Sequence, residues 1–549
     1  MAEDAEKTKL RTWASSSPSQ ESEPLLRSIT PRIFTLDNHD EAYYLWKDAA
    51  VGDATVVHLD AHHDLFEVEG DRVPCIADYL RWSLKEGIAR EIYWVVPRPA
   101  WESRAGRENI EGHLKALGGT GGGGRSWFKP AEEIGQVTLY GRTVTACSIR
   151  SLPAIQSPLL LDIDVDYLLL DVPPFSACHR VPERPWIWPG ELAAELNDLA
   201  RRAEKVTICY SVAGAYTPLM WKHLGDDLAA ILAAEHPEGA TAYAELKRRM
   251  AEALLDGDTA RHAELREAAE EKNPEDASLH YWRALAELDS GRTSAAREAC
   301  ARAIELDPTY AYSFGCGGPI FEVHGDFEGA ERAYQKATDL NERDALGWYG
   351  LGRASLRRGD RAGARLRLGT AAALPDAPSE VHRELAALAE SEGDREEALR
   401  EYRTYLRMSY AGRSLDRPPA ARPDPTYRSP FWSEGYSGLA RLYSAQGSSR
   451  ASANCYAEAL KLTNPRLYRA ARPILRKMAG DADVSAPVVA ASAVKALFVG
   501  AGLGARYLGR GVKRKLRAAR RREGSAMHAA VRICPPIPIR RAAGRLQER

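Results

Sequence analysis

The sequence predicts two folds in series: a three-layer α/β domain built on a parallel sheet, then an all-α solenoid of paired helices. Three observations predict it. Short β-branched runs alternate with amphipathic stretches up to about residue 240. Beyond that point glycine recurs at a fixed interval. The 549 residues, 44% hydrophobic and 28% charged, are too many for one core and ordinary for soluble globular domains.

In chain order, residues 1–28 are polar and Ser-rich and are expected to be disordered. The α/β domain is expected over 29–240. Its strands are ATVVHLD (54–60), EIYWVVP (91–97), PLLLDIDVDYL (158–168) and KVTICYS (205–211). Its helices include CIADYLRWSLKEG (75–87) and PGELAAELNDLARRAEK (189–205). Strands that alternate with helices imply a parallel sheet covered on both faces, and uninterrupted apolar runs imply fully buried strands. The Gly118–Gly124 stretch lacks the Lys-Ser/Thr ending of a phosphate loop, so it reads as a flexible connection.

The helical array is expected over 245–470. Gly257, Gly291, Gly325, Gly359 and Gly393 stand 34 residues apart. Alanine follows five positions later at Ala296, Ala330, Ala364 and Ala398, and twelve later at Ala269, Ala303, Ala337 and Ala371. Asn273-Pro274 and Asp307-Pro308 end second helices. A 34-residue period with a turn glycine and small residues at the helix crossing is the tetratricopeptide pattern. A Pro/Arg-rich insert near 411–430 interrupts the period, which resumes at Gly447. Such arrays hold extended peptides or partner helices, which implies a protein partner.

The net charge of −1 hides an asymmetry. From Ala501 to Arg549 there are 14 Lys and Arg against 2 Asp and Glu, so this tail carries +12 and the rest of the chain −13. A basic tail over 471–549 is expected to contact an anionic surface, including a membrane surface, or the acidic body. Without interleaved aromatics it predicts no specific nucleic-acid partner. The eight cysteines contain no C-x-x-C pair and read as reduced thiols of a cytoplasmic protein. The polar start MAEDAEKTK is not a signal peptide, and no run of 18 apolar residues occurs. The nearest approach, Val484 to Leu503, reads as a helix against a surface.

Two acidic clusters carry the chemistry. HLDAHHD places Asp60, His62 and Asp64 after an apolar strand, with His63 between. LDIDVDYL places Asp162, Asp164 and Asp166 at the end of another. Alternate residues of an extended strand share a face, so each trio is expected to point one way. Carboxylates at the carboxyl ends of buried strands repel each other unless a cation lies between them, and that edge is where α/β sheets bind ligands. Carboxylate and imidazole donors together suit Mn²⁺, and two ions acidify a water between them.

These residues resemble the arginase/deacetylase superfamily. Asp60-Ala61-His62-His63-Asp64 matches its D-A-H-x-D motif and Asp164-Val165-Asp166 its D-x-D motif, 104 residues on. A further ligand on the first strand-to-helix turn matches His39 in LDNHD. The resemblance is nearer to the UPF0489 branch, through TLDNHDEAYYLW (35–46), VVHLDAHHDL (56–65), IYWVVP (92–97), LLLDIDVDYL (159–168) and VTICYSVAGAYTP (206–218). It covers about residues 30–235. It implies an arginase-like fold and a peptide arginase, a Mn²⁺-dependent hydrolase converting peptidyl arginine to ornithine and urea. Two ions would be held by His39, Asp60, His62, Asp64, Asp164 and Asp166. Asp64 would orient the attacking water, and His63 and His179 are the candidate proton shuttles. This sequence departs from arginases in two respects: no His stands between Asp64 and His113, where arginases have a proton shuttle, and a guanidinium-binding acid is missing. Where arginases place a guanidinium-binding Glu, ICYS (208–211) has no acid. Ser211, Tyr216 and Thr217 are candidate pocket residues, and Asp162 is a candidate for the missing charge. An amide deacylase, and a non-catalytic repeat scaffold, stay open beside the ureohydrolase.

Overall fold

A computed structural model describes residues 27–475 apart from 67–72, 120–125, 171, 174–183, 213–215, 312–317, 324–325, 412–428, 430, 464–467, 470 and 474. Among the described residues nine strands form one sheet: β1 (Arg27–Ser28), β2 (Ile33–Leu36), β3 (Ala54–Leu59), β4 (Ala89–Val95), β5 (Trp127–Lys129), β6 (Ile134–Leu139), β7 (Arg142–Cys147), β8 (Leu159–Asp164) and β9 (Lys205–Cys209). Their order is β1-β2-β9-β8-β3-β4-β7-β6-β5. The six strands from β2 to β7 in that order run parallel. The edges differ from the expected parallel sheet. Strand β1, made from residues expected to be disordered, pairs antiparallel with β2, and β6 and β5 add antiparallel beyond β7. Tyr140 and Gly141, both with left-handed backbones, turn the β6–β7 hairpin.

Strand alternation sorts the two faces. Val56, Trp94 and Leu160 pack against Trp46 of α1 (Glu41–Asp48), Leu84 of α2 (Tyr79–Glu86) and Leu114 on the 104–119 helix. Val57, Leu161 and Val206 pack against Leu192 on the 189–202 helix and Leu228 on the 223–233 helix. The chain leaves β3 through β4 to β7, then returns to place β8 on the other side of β3. That reversal opens a crevice between the carboxyl ends of β3 and β8, the topological switch point where such sheets bind ligands.

Among the described residues, six helix pairs follow, from Glu238–Leu255 with Thr259–Lys272 to Trp432–Ala445 with Ser449–Thr463. The periodic glycines have a physical cause. Gly257, Gly291, Gly359, Gly393 and Gly447 all adopt positive φ, the left-handed conformation that ends a helix and favours glycine. The periodic alanines are buried where the helices cross. Asp258, Asp326, Asp360 and Asp394, each following a periodic glycine, cap the second helices by accepting backbone N–H bonds.

The boundary expected between 240 and 245 falls inside the Glu238–Leu255 helix, which packs on both C-terminal helices of the sheet domain. One apolar core runs through the junction, where the Trp221 and Trp282 rings meet edge to face at 5.5 Å. Two fully buried lysines cross it. Lys222 reaches Asp226 and Asp307, both at 3.0 Å, and Lys247 reaches Asp227 at 2.5 Å and Asp276 at 3.0 Å. The expected flexible connection begins at the end of the 104–119 helix, and its remainder lies outside the described residues. The 411–430 insert, the Val484–Leu503 stretch and the basic tail also lie largely or wholly outside them.

Candidate metal centre

Four adjacent strands deliver side chains to one point at the carboxyl edge. His39 comes from the turn between β2 and α1, where the Ala42 N–H bonds its carbonyl. Asp60, His62 and Asp64 follow β3, Asp164 ends β8 with Asp166 beyond it, and Ser211 follows β9. The structure brings these residues together, by a route that differs in part from the parity argument. Strand β3 stops at Leu59 and β8 at Asp164, so turns, not extended strand, present the later ligands. The Asp166 N–H bonds Asp164 Oδ1 at 2.9 Å and the His62 N–H bonds Asp60 Oδ1 at 2.6 Å. Asp64 and Ser211 have φ of 48° and 54°. The left-handed region is strained for such residues and is held only where the surroundings impose it.

His39 groups with His58 and Asp162 and, separately, with Asp164 and Cys209 as potential metal donors; two further groups are His39, Asp60 and Asp64, and Asp60, His62 and Asp166. Asp60 belongs to both. Its Oδ2 lies 3.4 Å from His39 Nδ1 and its Oδ1 3.2 Å from His62 Nδ1. His39 Nδ1 also lies 3.3 Å from Asp64 Oδ2 and 3.2 Å from Asp164 Oδ2, and His62 Nδ1 lies 2.9 Å from Asp166 Oδ2. Despite these approaches, His39 Nδ1 and Asp166 Oδ2 are buried without a hydrogen bond of normal geometry. Donor atoms that crowd together without bonding one another fit a cation among them.

The charges agree with this. Burial favours neutral imidazoles, but the Asp162 charge holds His39 well above its usual pKa, and Asp166 does the same for His62. Burial opposes the ionised Asp60 carboxyl, yet the neighbouring His39, His58 and His62 imidazoles hold it well below the carboxylate range. Burial and the Asp60 charge push Asp64 up to about 6. Burial and the charges of Asp164 and Asp60 push Asp166 well up. Asp64 and Asp166, one in each of the two groups that share Asp60, are pushed up, so the histidines alone do not neutralise the cluster.

Several expected roles are corrected. Asp162 does not face substrate. It is fully buried beneath the cluster, and its oxygens are taken by Thr207, Tyr79, His58 and His39. His63 turns to the opposite side. It packs among Phe66, Trp94 and His113 and accepts the Leu65 N–H at 3.0 Å, so it does not reach the cluster as a proton shuttle. Burial holds it well below its usual pKa. Ser211 donates to Asp164 Oδ2 at 2.6 Å and orients that carboxylate, not a substrate. Thr217 is fully buried, its N–H on the Ser211 carbonyl. Tyr216, half-buried, meets the His62 ring edge to face at 5.0 Å and is the remaining pocket candidate. His179 lies outside the described residues.

Sequence reasoning missed His58, Tyr79 and Thr207. His58 had a signal, since it precedes Asp60 by two residues and so shares its strand face. Tyr79 and Thr207 had none. Among the described residues no cysteine is disulfide-bonded, and Cys209 donates to the Asp37 carbonyl at 3.1 Å behind His39. No helix among them is long and apolar enough to cross a membrane.

A family model of the tetratricopeptide repeat matches residues 248–311 and 318–381. The repeats are therefore established, and they imply protein partners. A 58-residue stretch is 36% identical to anaphase-promoting complex subunit 3 of Schizosaccharomyces pombe, covering 11% of this chain and 9% of that protein. The chain thus spans about a tenth of that relative's length. Among solved structures, the Pseudomonas aeruginosa pilF protein aligns over 41% of this chain and 93% of its own, at 17% identity and a TM-score of 0.23. YrrB, a tetratricopeptide protein with an unusual peptide-binding site, aligns over 38% and 97%, at 16% identity and a TM-score of 0.23.

Proposed function

We propose that the sheet domain is an arginase-like metal-dependent hydrolase that cleaves the guanidino group of a peptidyl arginine to ornithine and urea. The repeats would recruit the peptide, its parent protein or a further partner. The observation that carries this reading is the pair of donor groups sharing Asp60. Imidazole and carboxylate donors in this mixture suit Mn²⁺, and two such ions supply an acidified water as nucleophile. The chain's own residues set the geometry. Asp60, engaged through both oxygens, fixes the spacing of the two groups. Ser211 and the Asp166 N–H fix Asp164. His62, the most exposed member, and Tyr216 beside it mark the side from which substrate approaches. The proposal places the enzyme in the cytoplasm, with the basic tail on an anionic surface.

One observation favours a second reading, an amide deacylase. Ser211 stands where a guanidinium-binding acid is expected, and it is committed to Asp164. The test uses the full chain loaded with Mn²⁺, offered an arginine peptide, free arginine and an acyl-lysine peptide. Urea with an ornithine peptide is the expected result. Released carboxylic acid instead would install the deacylase. Bound metal with no product from any substrate would leave the repeat scaffold as the function.

A further inference from the structure

Beneath the donor cluster lies a second layer that the proposed reaction does not use. Asp162 Oδ2 lies 3.0 Å from His39 Nε2 and accepts from His58 Nδ1 at 3.0 Å and the Tyr79 hydroxyl at 2.5 Å, while Oδ1 accepts from Thr207. His58 is wholly buried, and its Nε2 lies 3.3 Å from Asp60 Oδ2. Sheet register places His58 directly opposite Asp162 on the adjacent strand. Each of these two residues therefore leans on a different part of the cluster. Asp162 touches His39, which belongs to the His39–Asp60–Asp64 group and not to the Asp60–His62–Asp166 group. His58 touches Asp60, the member of both.

We infer that Asp162 and His58 are positioning residues for a two-ion site, Asp162 aiming His39 at one ion and His58 steadying the Asp60 carboxylate shared by both. The inference rests on the metal-centre reading. A ligand imidazole is usually oriented by the acceptor on its other nitrogen, and loss of such a partner costs 10- to 100-fold in metal affinity. The two residues differ in what they hold, so their loss has different signatures. Asp162→Asn cannot accept from all its donors and releases the His39 ring, so the ion on the His39 side is lost first. His58→Gln loosens the shared carboxylate and weakens both ions together. Tyr79→Phe and Thr207→Val disturb the same buried carboxylate without freeing His39 or Asp60, and are controls for general damage to the pocket.

The experiment is Mn²⁺ titration of the full chain, with stoichiometry from mass spectrometry and the electron paramagnetic resonance signal of the bound ions. Wild type is expected to bind two ions with a spin-coupled spectrum. Asp162→Asn is expected to keep one ion tightly, with an isolated six-line signal, and to bind the second at least about 10-fold more weakly. His58→Gln is expected to weaken both without separating them, and the controls to stay near wild type. Two ions held by Asp162→Asn as tightly as by wild type would overturn the inference while leaving the metal centre intact. So would equal loss of both ions in Asp162→Asn and in the controls, which marks a structural role alone. Should Asp162→Asn not fold, His58→Gln decides: wild-type binding of both ions refutes it. No Mn²⁺ bound by wild type would instead end the metal-centre reading itself.

Discussion

The sheet edge and the domain junction both bury charge, and they do it in opposite ways. At the junction, each buried ammonium sits between two carboxylates, Lys222 between Asp226 and Asp307, Lys247 between Asp227 and Asp276. At the sheet edge, the only basic side chains within ion-pair distance of Asp60, Asp64, Asp162, Asp164 and Asp166 among the described residues are imidazoles, and neither lysine nor arginine pairs with them. The junction is complete in itself. The edge is balanced only by protons or by cations from outside. A buried network complete in itself rigidifies, whereas one left short of charge is the kind of cluster that concentrates at functional sites.

The largest expected effect lies at the edge. Asp164→Ala with Asp166→Ala is expected to abolish Mn²⁺ binding and any turnover. In metal-free protein the same pair is expected not to lower the melting temperature, because it removes mutually repelling carboxylates. A clear drop in melting temperature in EDTA would show that these aspartates are structural, and would erase the contrast with the junction.

At the junction the effect is on stability. Lys247→Met leaves Asp227 and Asp276 buried without their cation and is expected to cost roughly 3–5 kcal/mol. Denaturant unfolding followed by tryptophan fluorescence reads this, since Trp221 and Trp282 meet there. An unchanged midpoint would mean that the Lys247 pairs contribute nothing to joining the two domains. The result also bears on the repeats. Because the Glu238–Leu255 helix is shared, a cut near residue 245 is expected to unfold the first repeat rather than release an intact array.

The smallest effect is a pH dependence. Burial, then the nearby Lys247 charge, lowers His223 to about 3. The folded chain therefore keeps this imidazole neutral while the unfolded chain protonates it below about 6.5. Stability from this group is complete above the unfolded value and is lost as pH falls toward the folded one, at roughly 1.4 kcal/mol per pH unit. Unfolding midpoints measured from pH 7 to pH 5 should fall, and His223→Asn should flatten the slope. A slope unchanged by that variant would place the pH sensitivity elsewhere.

How much of this was legible differs along the chain. The repeats were readable almost residue by residue, because a local cause repeats. Gly359 ends a helix in a left-handed conformation, Asp360 caps the next, and Ala364 and Ala371 sit at the crossing. The six expected ligands were readable as two motifs and one turn, and the structure brings all six together. The roles of their neighbours were not. His63 and Asp162 stand in those same motifs, yet one packs among aromatic rings and the other braces His39 from below.

The sequence by itself determined the local periods: four of the buried parallel strands, where the repeat helices stop, and which side chains alternate onto a face. Those follow from backbone geometry within a few residues. Only the tertiary structure decided that β8 returns beside β3, that Thr207 and Tyr79 converge on Asp162, and that the first repeat shares a core with the sheet. These are contacts between residues far apart in the chain. No local pattern encodes them, because they depend on which buried surfaces and charges the folded sheet leaves to be matched.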